Sequence, residues 1–173
     1  NCPGKTVYCI GSAGLQEQLA KINANIVTDA SAQVVVVGYS NQVDYQQITT
    51  ACLAINQGAQ FIATNLDICL PTEQGLLPGN GAVCACIATA TNVQPLNLGK
   101  PEVTIINLAL AQIKLVASQV AVIGDNYDTD IMSGINSNID TIYVETGLTT
   151  KQQLDNVIIK PTHMVKTLAD WQL

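Results

Sequence analysis

The densest group of acidic residues in the sequence directly follows a short apolar run, residues 120–123. Gly124 ends that run, and Asp125, Asp128 and Asp130 come next. Carboxylates this close repel one another unless a positive charge lies between them, and a hard cation such as Mg²⁺ prefers oxygen ligands. Asp128 by itself is better explained as a helix cap. Asp125 and Asp130 together favour a metal site, so the sequence predicts that they bind Mg²⁺.

A lysine precedes this acidic segment. Lys100 lies in Gly99-Lys100-Pro101, where the pattern predicts a loop and then a helix that begins at Pro101 and runs to about residue 113. A lysine ammonium and the free N–H groups of a helix N-terminus both suit a phosphate group. Taken alone, the three residues are more often explained by an ordinary surface lysine, so a phosphate-binding role depends on the acidic segment that follows.

Polar side chains also follow a predicted strand in the first half of the chain, residues 61–64. Thr64, Asn65 and Asp67 lie at its end, ahead of a predicted loop rich in Gly and Pro, residues 71–81. Such side chains can bind a substrate through hydrogen bonds. They can equally form a turn, because Asn and Asp bond to their own backbone. The sequence leaves both interpretations open.

Short apolar runs alternate with longer runs of helical periodicity along the chain, which predicts the α/β class with a mostly parallel sheet. Ligands bind such sheets at the carboxyl ends of the strands, where the acidic and polar residues above are placed. The best domain boundary is the bend at residues 94–95. Strands are predicted at 6–10, 33–37, 61–64, 120–123, 141–144 and 161–165, and helices at 15–22, 45–55, 82–90, 101–113, 129–136, 150–154 and 167–171.

The composition argues against several kinds of partner. Charged residues are only 12% of the 173 residues, the net charge is −6, and all seven basic residues are lysine. Nucleic acids and anionic membranes bind cationic surfaces, so neither is expected as a partner. No apolar run reaches the roughly 18 residues of a membrane-spanning helix.

The six cysteines are better explained as thiols than as three disulfides. Cys52, Cys84 and Cys86 lie inside apolar stretches, and we expect them to be small core residues. There is no Cys-x-x-Cys pair and only one histidine, which argues against a zinc site. These features predict a reducing, cytoplasmic setting.

Several strings of residues are specific in combination. In the second half they are GKP, VIGDNYDTDIMSG, IDT-YV-TG-TT, PTH and L-DW, and in the first half GKTVYCIG, VVVVGY, GAQFIATNLD and PTEQGLLPGNGA. Together they resemble the haloacid dehalogenase-like phosphatases, in the NagD-like group (class IIA) of low-GC Gram-positive bacteria. The resemblance implies a Rossmann-like core, with its second half at residues 96–173, and a C2-type α/β cap domain at residues 1–95.

The resemblance also implies roles for the residues of the second half. Lys100 would be the catalytic lysine that steadies the phosphoryl group and the nucleophile. Asp125 would be a Mg²⁺ ligand, Asp130 would support the metal site from the following helix, and Gly124 would keep the turn tight.

In the first half, the same resemblance places Thr64, Asn65 and Asp67 in a cap loop over the active site. There they would bind the substrate, a small phosphorylated metabolite. The implied cofactor is Mg²⁺.

The family's reaction needs further residues that this sequence does not show. They are an aspartate nucleophile and acid/base in a D-x-D string, and a Ser or Thr after the second core strand, all ahead of the cap. The only D-x-D here, Asp128-Thr129-Asp130, belongs to the later acidic segment. We therefore expect the nucleophile segment to be missing and residues 120–123 to form an unpaired apolar edge. Three explanations stay open: a separate chain supplies the missing strand, the segment was lost, or the chain forms a homo-oligomer.

Three functions follow from these observations. The first is a Mg²⁺-dependent phosphatase of small phosphomonoesters, incomplete without the nucleophile segment. The alternative is a non-catalytic binding or assembly fragment of such an enzyme. A phosphoacceptor receiver domain is disfavoured, because the strand at residues 6–10 leads to no acidic pair.

Overall fold

Residues 4–171 are described by the computed structural model, and their contacts divide the chain after Leu98. The N-terminal unit comprises residues 1–98 and the C-terminal unit residues 99–173. The division lies a few residues beyond the bend at Gln94-Pro95, because Leu96 and Asn97 still pair with a strand of the first sheet. That the two units are a cap and half of a core stays a prediction.

The N-terminal unit contains a parallel five-stranded sheet in the order β2-β1-β3-β4-β7, and a separate antiparallel hairpin, β5-β6. In chain order its elements are β1 (Thr6–Ile10), α1 (Ala13–Lys21), β2 (Asn25–Ile26), β3 (Val34–Val37), α2 (Tyr45–Asn56), β4 (Gln60–Ala63), β5 (Cys69–Thr72), β6 (Gly75–Pro78), α3 (Asn80–Thr91) and β7 (Leu96–Asn97).

Both faces of this sheet are buried, which is why β3 is a run of four valines rather than an alternating sequence. Alternate strand residues, such as Val35 and Val37, pack on one face with residues of α2 and α3. Their neighbours Val34 and Val36 pack on the other face with Leu19 of α1.

Two sequence predictions for the N-terminal unit are wrong in detail, and two short strands were not predicted. The predicted loop at residues 71–81 holds most of the hairpin β5-β6, whose short turn is followed by Gly75 at φ +117°. The two-residue strands β2 and β7 are too short to leave a pattern in the sequence. Cys86 is exposed on α3, whereas Cys84 is buried as predicted and Cys52 is half-buried. All five cysteines among the described residues are free thiols; Cys2 lies outside them.

The C-terminal unit contains a parallel three-stranded sheet in the order β10-β9-β8. Its own core is small and centres on Tyr127, Ile131, Tyr143 and Leu154. In chain order its elements are α4 (Val103–Ile113), a 3₁₀ turn (Ala117–Gln119), β8 (Ala121–Gly124), a π-helical turn (Tyr127–Ile131), α5 (Met132–Asn136), β9 (Asp140–Val144), α6 (Lys151–Asn156), β10 (His163–Val165) and a last 3₁₀ turn (Leu168–Asp170).

The residues of β8 and α4 are mostly apolar, but the structure leaves them exposed or half-buried. Ile123 of β8 is 48% exposed, and no residue of α4 is buried. β8 lies at one edge of its sheet, as the sequence predicts for residues 120–123, so within residues 4–171 it has a neighbouring strand on one side only.

Two helix starts also differ from the sequence prediction. α4 begins at Val103 with Glu102 as its N-cap, so Pro101 lies in the preceding turn and not at the first helical position. The helix predicted at residues 129–136 begins as the π-helical turn at Tyr127 and becomes α-helical only at Met132.

Candidate active site

The end of β8 and the π-helical turn hold Asp130 against the strand. A Cβ atom on Gly124 would lie 2.1 Å from the Cβ of Asp130, so only glycine permits this approach. The N–H of Asn126 donates to Asp130 Oδ2 at 3.3 Å, and the N–H of Asp130 donates to the Asn126 carbonyl at 2.9 Å. These contacts give the Asp130 carboxylate a fixed place at the carboxyl end of the sheet.

Lys100 reaches the same carboxylate. Its Nζ atom lies 2.5 Å from Asp130 Oδ1, across 30 positions of sequence. The lysine side chain is 47% exposed and the carboxylate 13%, so the ion pair adds little to stability. Its consequence is geometric, because it holds a positive charge beside the acidic turn. The structure thus brings together two of the residues predicted for the site.

The loop that carries Lys100 has a second attachment. Asn136 Nδ2, at the end of α5, donates to the carbonyl of Pro101 at 3.0 Å. The Lys100–Pro101 peptide bond is cis. Residues before α4 are therefore tied to both ends of the segment that follows β8.

Asp125 is held by the loop that follows β9. The N–H of Leu148 donates to Asp125 Oδ2 at 3.2 Å, and the N–H of Thr149 donates to the Asp125 carbonyl at 3.2 Å. A Cβ atom on Gly147 would lie 1.2 Å from Asp125 Oδ2, so this position also requires glycine. The Asp125 carboxylate is half-buried, and the hydrogen bond from Leu148 is to its Oδ2 atom.

Thr149 fastens this loop to the π-helical turn. Its Oγ1 accepts a hydrogen bond from the Tyr127 N–H at 2.8 Å, and its carbonyl accepts one from the Tyr143 hydroxyl. Burial raises the pKa of Tyr143, and the charges of Glu145 and Asp125 raise it further. The phenol therefore stays protonated and remains a donor at neutral pH.

These residues fit a magnesium ion only in part. No group of three or more His, Cys, Asp or Glu among the described residues is placed to hold a metal. Mg²⁺ commonly takes one or two carboxylates and fills its other positions with water and phosphate oxygens. Asp125 could supply one such carboxylate. Both oxygens of Asp130 already accept bonds, from Lys100 and Asn126, and its role as a metal ligand stays a prediction.

The polar residues of the first half lie in the N-terminal unit, in the loop between β4 and β5. Thr64 and Asn65 are half-buried and Asp67 is exposed. The N–H of Asp67 donates to Asn65 Oδ1 at 3.4 Å, so Asn65 does form the turn that the sequence allowed. The Asn65 carbonyl accepts a hydrogen bond from the side chain of Asn80 at 2.8 Å.

Sequence reasoning missed three residues that shape these segments: Gly147, Thr149 and Asn80. The first two follow β9 in the string Thr-Gly-Leu-Thr, and glycine after a buried parallel strand is a usable signal for close backbone approach. Asn80 left no such signal, because an asparagine at the start of a helix is ordinary capping chemistry.

Comparison with known proteins finds similarity to several phosphatases. Residues 97–171 match the Hydrolase_like family, described as HAD-hydrolase-like. An acid sugar phosphatase of Staphylococcus saprophyticus is 47% identical over 166 residues, which cover 96% of this chain and 64% of the relative. A crystal structure of a thermostable NPPase double mutant from Geobacillus stearothermophilus superimposes with a TM-score of 0.91 at 41% identity, covering 97% of this chain and 66% of that one.

The chain belongs to the NagD-like haloacid dehalogenase-like hydrolases. A more distant member, a glycerol phosphate phosphatase of Mycobacterium tuberculosis solved in complex with magnesium, has a TM-score of 0.89 at 32% identity and covers 95% of this chain and 51% of that one. The present chain thus spans about two thirds or less of the length of these relatives.

The family identity confirms the α/β class and the NagD-like resemblance. Among residues 4–171, no helix has both the length and the apolar character needed to cross a bilayer. A cytoplasmic location stays a prediction.

Proposed function

We propose that this haloacid dehalogenase-like chain forms the cap and the metal-binding half of a Mg²⁺-dependent phosphatase of small phosphomonoesters. The observation that carries the proposal is the pair of glycine-dependent contacts at the carboxyl end of the C-terminal sheet. Gly124 fixes Asp130 and Lys100 on one side, and Gly147 fixes Asp125 on the other. Surface carboxylates without a function would not need glycine at both places.

Lys100 and Asp130 act as a unit in this proposal. The ion pair keeps the lysine ammonium at the end of the sheet, where it can bind the oxygens of a phosphoryl group and offset their negative charge. Asp130 can keep its place at the end of β8 while it holds the lysine, because the Asn126 N–H binds its second oxygen.

Asp125 holds the metal ion in this proposal. Bound Mg²⁺ supplies charge that stabilises the phosphoryl oxygens and orients them. The Leu148 N–H binds Asp125 Oδ2, so this carboxylate cannot rotate freely. The magnesium complex of the mycobacterial relative supports this choice of cation.

The substrate is a small phosphorylated metabolite. Thr64, Asn65 and Asp67 would contact its organic portion, and their hydroxyl, amide and carboxylate groups suit a polar, hydroxyl-bearing molecule. The name acid sugar phosphatase, carried by the staphylococcal relative, supports a substrate of that kind.

An aspartate nucleophile would have to come from outside residues 1–173. The exposed edge of β8 supports the view that another strand pairs there, and the exposed residues of α4 support a larger covered surface. We propose that a separate polypeptide segment carrying the D-x-D strand pairs with β8.

The test is hydrolysis of p-nitrophenyl phosphate by the chain mixed with a D-x-D segment taken from a relative. We expect turnover that requires both the segment and Mg²⁺. Asp125→Asn should lower kcat about 100-fold or more, since it removes a ligand of the charge-stabilising ion. Gly147→Ala should lower it similarly, because the added methyl group displaces Asp125 while leaving its charge.

The matched control is Asp128→Asn, which removes a charge from the same turn at an exposed side chain. This variant should keep its activity. Full activity in Asp125→Asn, or turnover that is indifferent to Mg²⁺, would contradict the proposal.

The second candidate function is a non-catalytic binding or assembly fragment. The presence of only one D-x-D string, in the acidic turn, favours it. A purified chain that stays inactive with the complementary segment and Mg²⁺, yet binds that segment, would establish this function instead.

Native mass spectrometry and hydrogen exchange test the pairing at β8 separately. β8 already pairs with β9 on one side. We expect the β8 amides that do not bond to β9 to exchange slowly only when the segment is bound. A lone monomer in which the β8 amides facing away from β9 are protected would contradict the pairing. A dimer of the chain with those same amides protected would show that a second copy covers this edge.

A further inference from the structure

Asn80 occupies a buried position between two strands of the N-terminal unit. It is the first residue of α3 and is 3% exposed. Its Nδ2 donates to the Val37 carbonyl at 3.1 Å and to the Asn65 carbonyl at 2.8 Å. Because only the amide nitrogen can donate to a carbonyl, these two contacts fix the orientation of the side chain.

The two carbonyls mark the place where β3 and β4 separate. The last backbone bond between the strands runs from the Thr64 N–H to the Val37 carbonyl at 3.0 Å. Beyond it, the Asn65 carbonyl turns towards α3 and receives the Asn80 side chain. Asn80 therefore replaces a backbone donor at the point where the sheet ends and the loop at residues 64–68 begins.

The residues on either side of Asn80 hold the rest of this loop. The Gly79 N–H donates to the Ile68 carbonyl at 2.9 Å, and the Gly81 N–H donates to the Asp67 carbonyl at 2.9 Å. A Cβ atom on Gly81 would lie 2.3 Å from the Leu66 carbonyl oxygen. The start of α3 thus contacts consecutive carbonyls along the loop.

The energetic gain from Asn80 is limited. Its Oδ1 atom is buried and accepts no hydrogen bond from the described residues. An unpaired buried acceptor costs free energy comparable to what a hydrogen bond contributes. The side chain therefore gives a strong geometric constraint with a small net stabilisation.

We propose that Asn80 is a positioning residue that fixes the loop at residues 64–68, so that Thr64, Asn65 and Asp67 meet the organic portion of the substrate in one arrangement. This inference rests on the proposed function. Asn80 itself does not touch the substrate, and it acts on specificity through the backbone that it holds.

The test compares Asn80→Asp with the matched control Asn56→Asp. The first variant keeps the size of the side chain and replaces both N–H donors with acceptors that repel the two carbonyls. The control makes the same chemical change at an exposed residue near the end of α2. Asn80→Ala serves as a second variant that adds no charge, in case Asn80→Asp does not fold.

Hydrogen exchange gives the readout that does not depend on activity. We expect faster exchange at the amides of Thr64, Gly79 and Gly81 in both Asn80 variants and no change in the control or in β9. Unchanged exchange at these amides would overturn the inference.

Kinetics give the readout that a purely structural role would not move. For the chain complemented as above, the ratio of kcat/KM for a sugar phosphate to that for p-nitrophenyl phosphate should fall about tenfold, or about 1.4 kcal/mol. A loosened loop with an unchanged ratio would overturn the specificity role. A parent chain without any turnover would instead refute the proposed function, and hydrogen exchange alone would then decide whether Asn80 fixes the loop.

Discussion

The N-terminal and C-terminal units differ in how fully they bury their sheets. In the N-terminal unit, helices cover both faces, and all four residues of β3 are buried. In the C-terminal unit, β8 alternates between exposed and half-buried residues, and α4 buries none of its residues. Both units have apolar strands. Helices cover the parallel sheet of the first unit on both faces, whereas the second unit leaves its apolar edge strand β8 partly exposed.

This difference separates two ways of holding a functional group. The loop at residues 64–68 is fixed by a buried amide and the start of a long helix. The acidic turn after β8 is fixed by glycine contacts and short polar bonds on a partly exposed sheet. The comparison indicates that the sheet of the first unit is covered by its own helices, whereas the second unit has an apolar surface that suits further polypeptide.

The largest effect on stability should come from making a cavity in the covered core of the N-terminal unit. Ile87 is fully buried in the N-terminal unit, and Ile87→Ala should cost about 2–5 kcal/mol in the free energy of unfolding. Leu108 of α4 is 67% exposed, so Leu108→Ala should change stability by less than about 0.5 kcal/mol. Denaturant unfolding followed by circular dichroism measures both.

The same pair of variants can break the comparison. A cost for Leu108→Ala close to that of Ile87→Ala in the chain alone would mean that α4 is already covered. If a complementary segment packs on α4, the cost of Leu108→Ala should rise only when that segment is bound.

The pattern of the sequence predicts most of the fold for a simple reason. Strands such as Val34–Val37 are recognisable as continuous runs of β-branched residues, and helices such as Tyr45–Asn56 are long enough for their apolar periodicity to exceed chance. The two-residue strands β2 and β7 have no periodicity of their own, since they exist only through pairing with β1 and β4. The edge position of β8 was expected only from the resemblance, because apolar residues by themselves indicate a buried strand.

The candidate site was predictable where its residues are charged. Asp125, Asp130 and Lys100 stand out in a chain that has few charges, and Lys100 contacts Asp130. Their roles at the site stay predictions. The backbone donors that hold Asp125 could not be predicted, because the N–H of Leu148 carries no side-chain signature. Asn80 was missed because its role depends on carbonyls 43 and 15 positions away.

The thiols give a second, smaller contrast between the units, since all six cysteines lie in the N-terminal unit. Burial raises the pKa of Cys9 and of Cys84 from 9.0 to about 11. The folded unit keeps protons that the unfolded chain releases above pH 9, so their stabilising contribution is complete below pH 9 and is lost as the pH rises to about 11.

Denaturant unfolding across this range measures that loss, and Cys84→Ala should make the dependence on pH shallower. In the C-terminal unit, the groups with raised pKa are Tyr127 and Tyr143, whose ordinary pKa is 10.0, so its stability should begin to fall only at higher pH. Equal loss in both units between pH 9 and pH 10 would contradict this assignment.

The smallest effect concerns the helix starts. Asp44 caps α2 in the N-terminal unit: its Oδ1 accepts from the Gln47 N–H at 2.7 Å, and the Gln47 side chain accepts from the Asp44 N–H at 3.0 Å. Glu102, the N-cap of α4, makes no such side-chain bond. Asp44→Ala should therefore cost about 1 kcal/mol, and Glu102→Ala almost nothing. Asp44→Ser, which keeps an acceptor, should recover most of the loss in thermal unfolding. If Glu102→Ala proved as costly as Asp44→Ala, the N-terminus of α4 would be capped as firmly as that of α2. That result would contradict the contrast between the two helix starts.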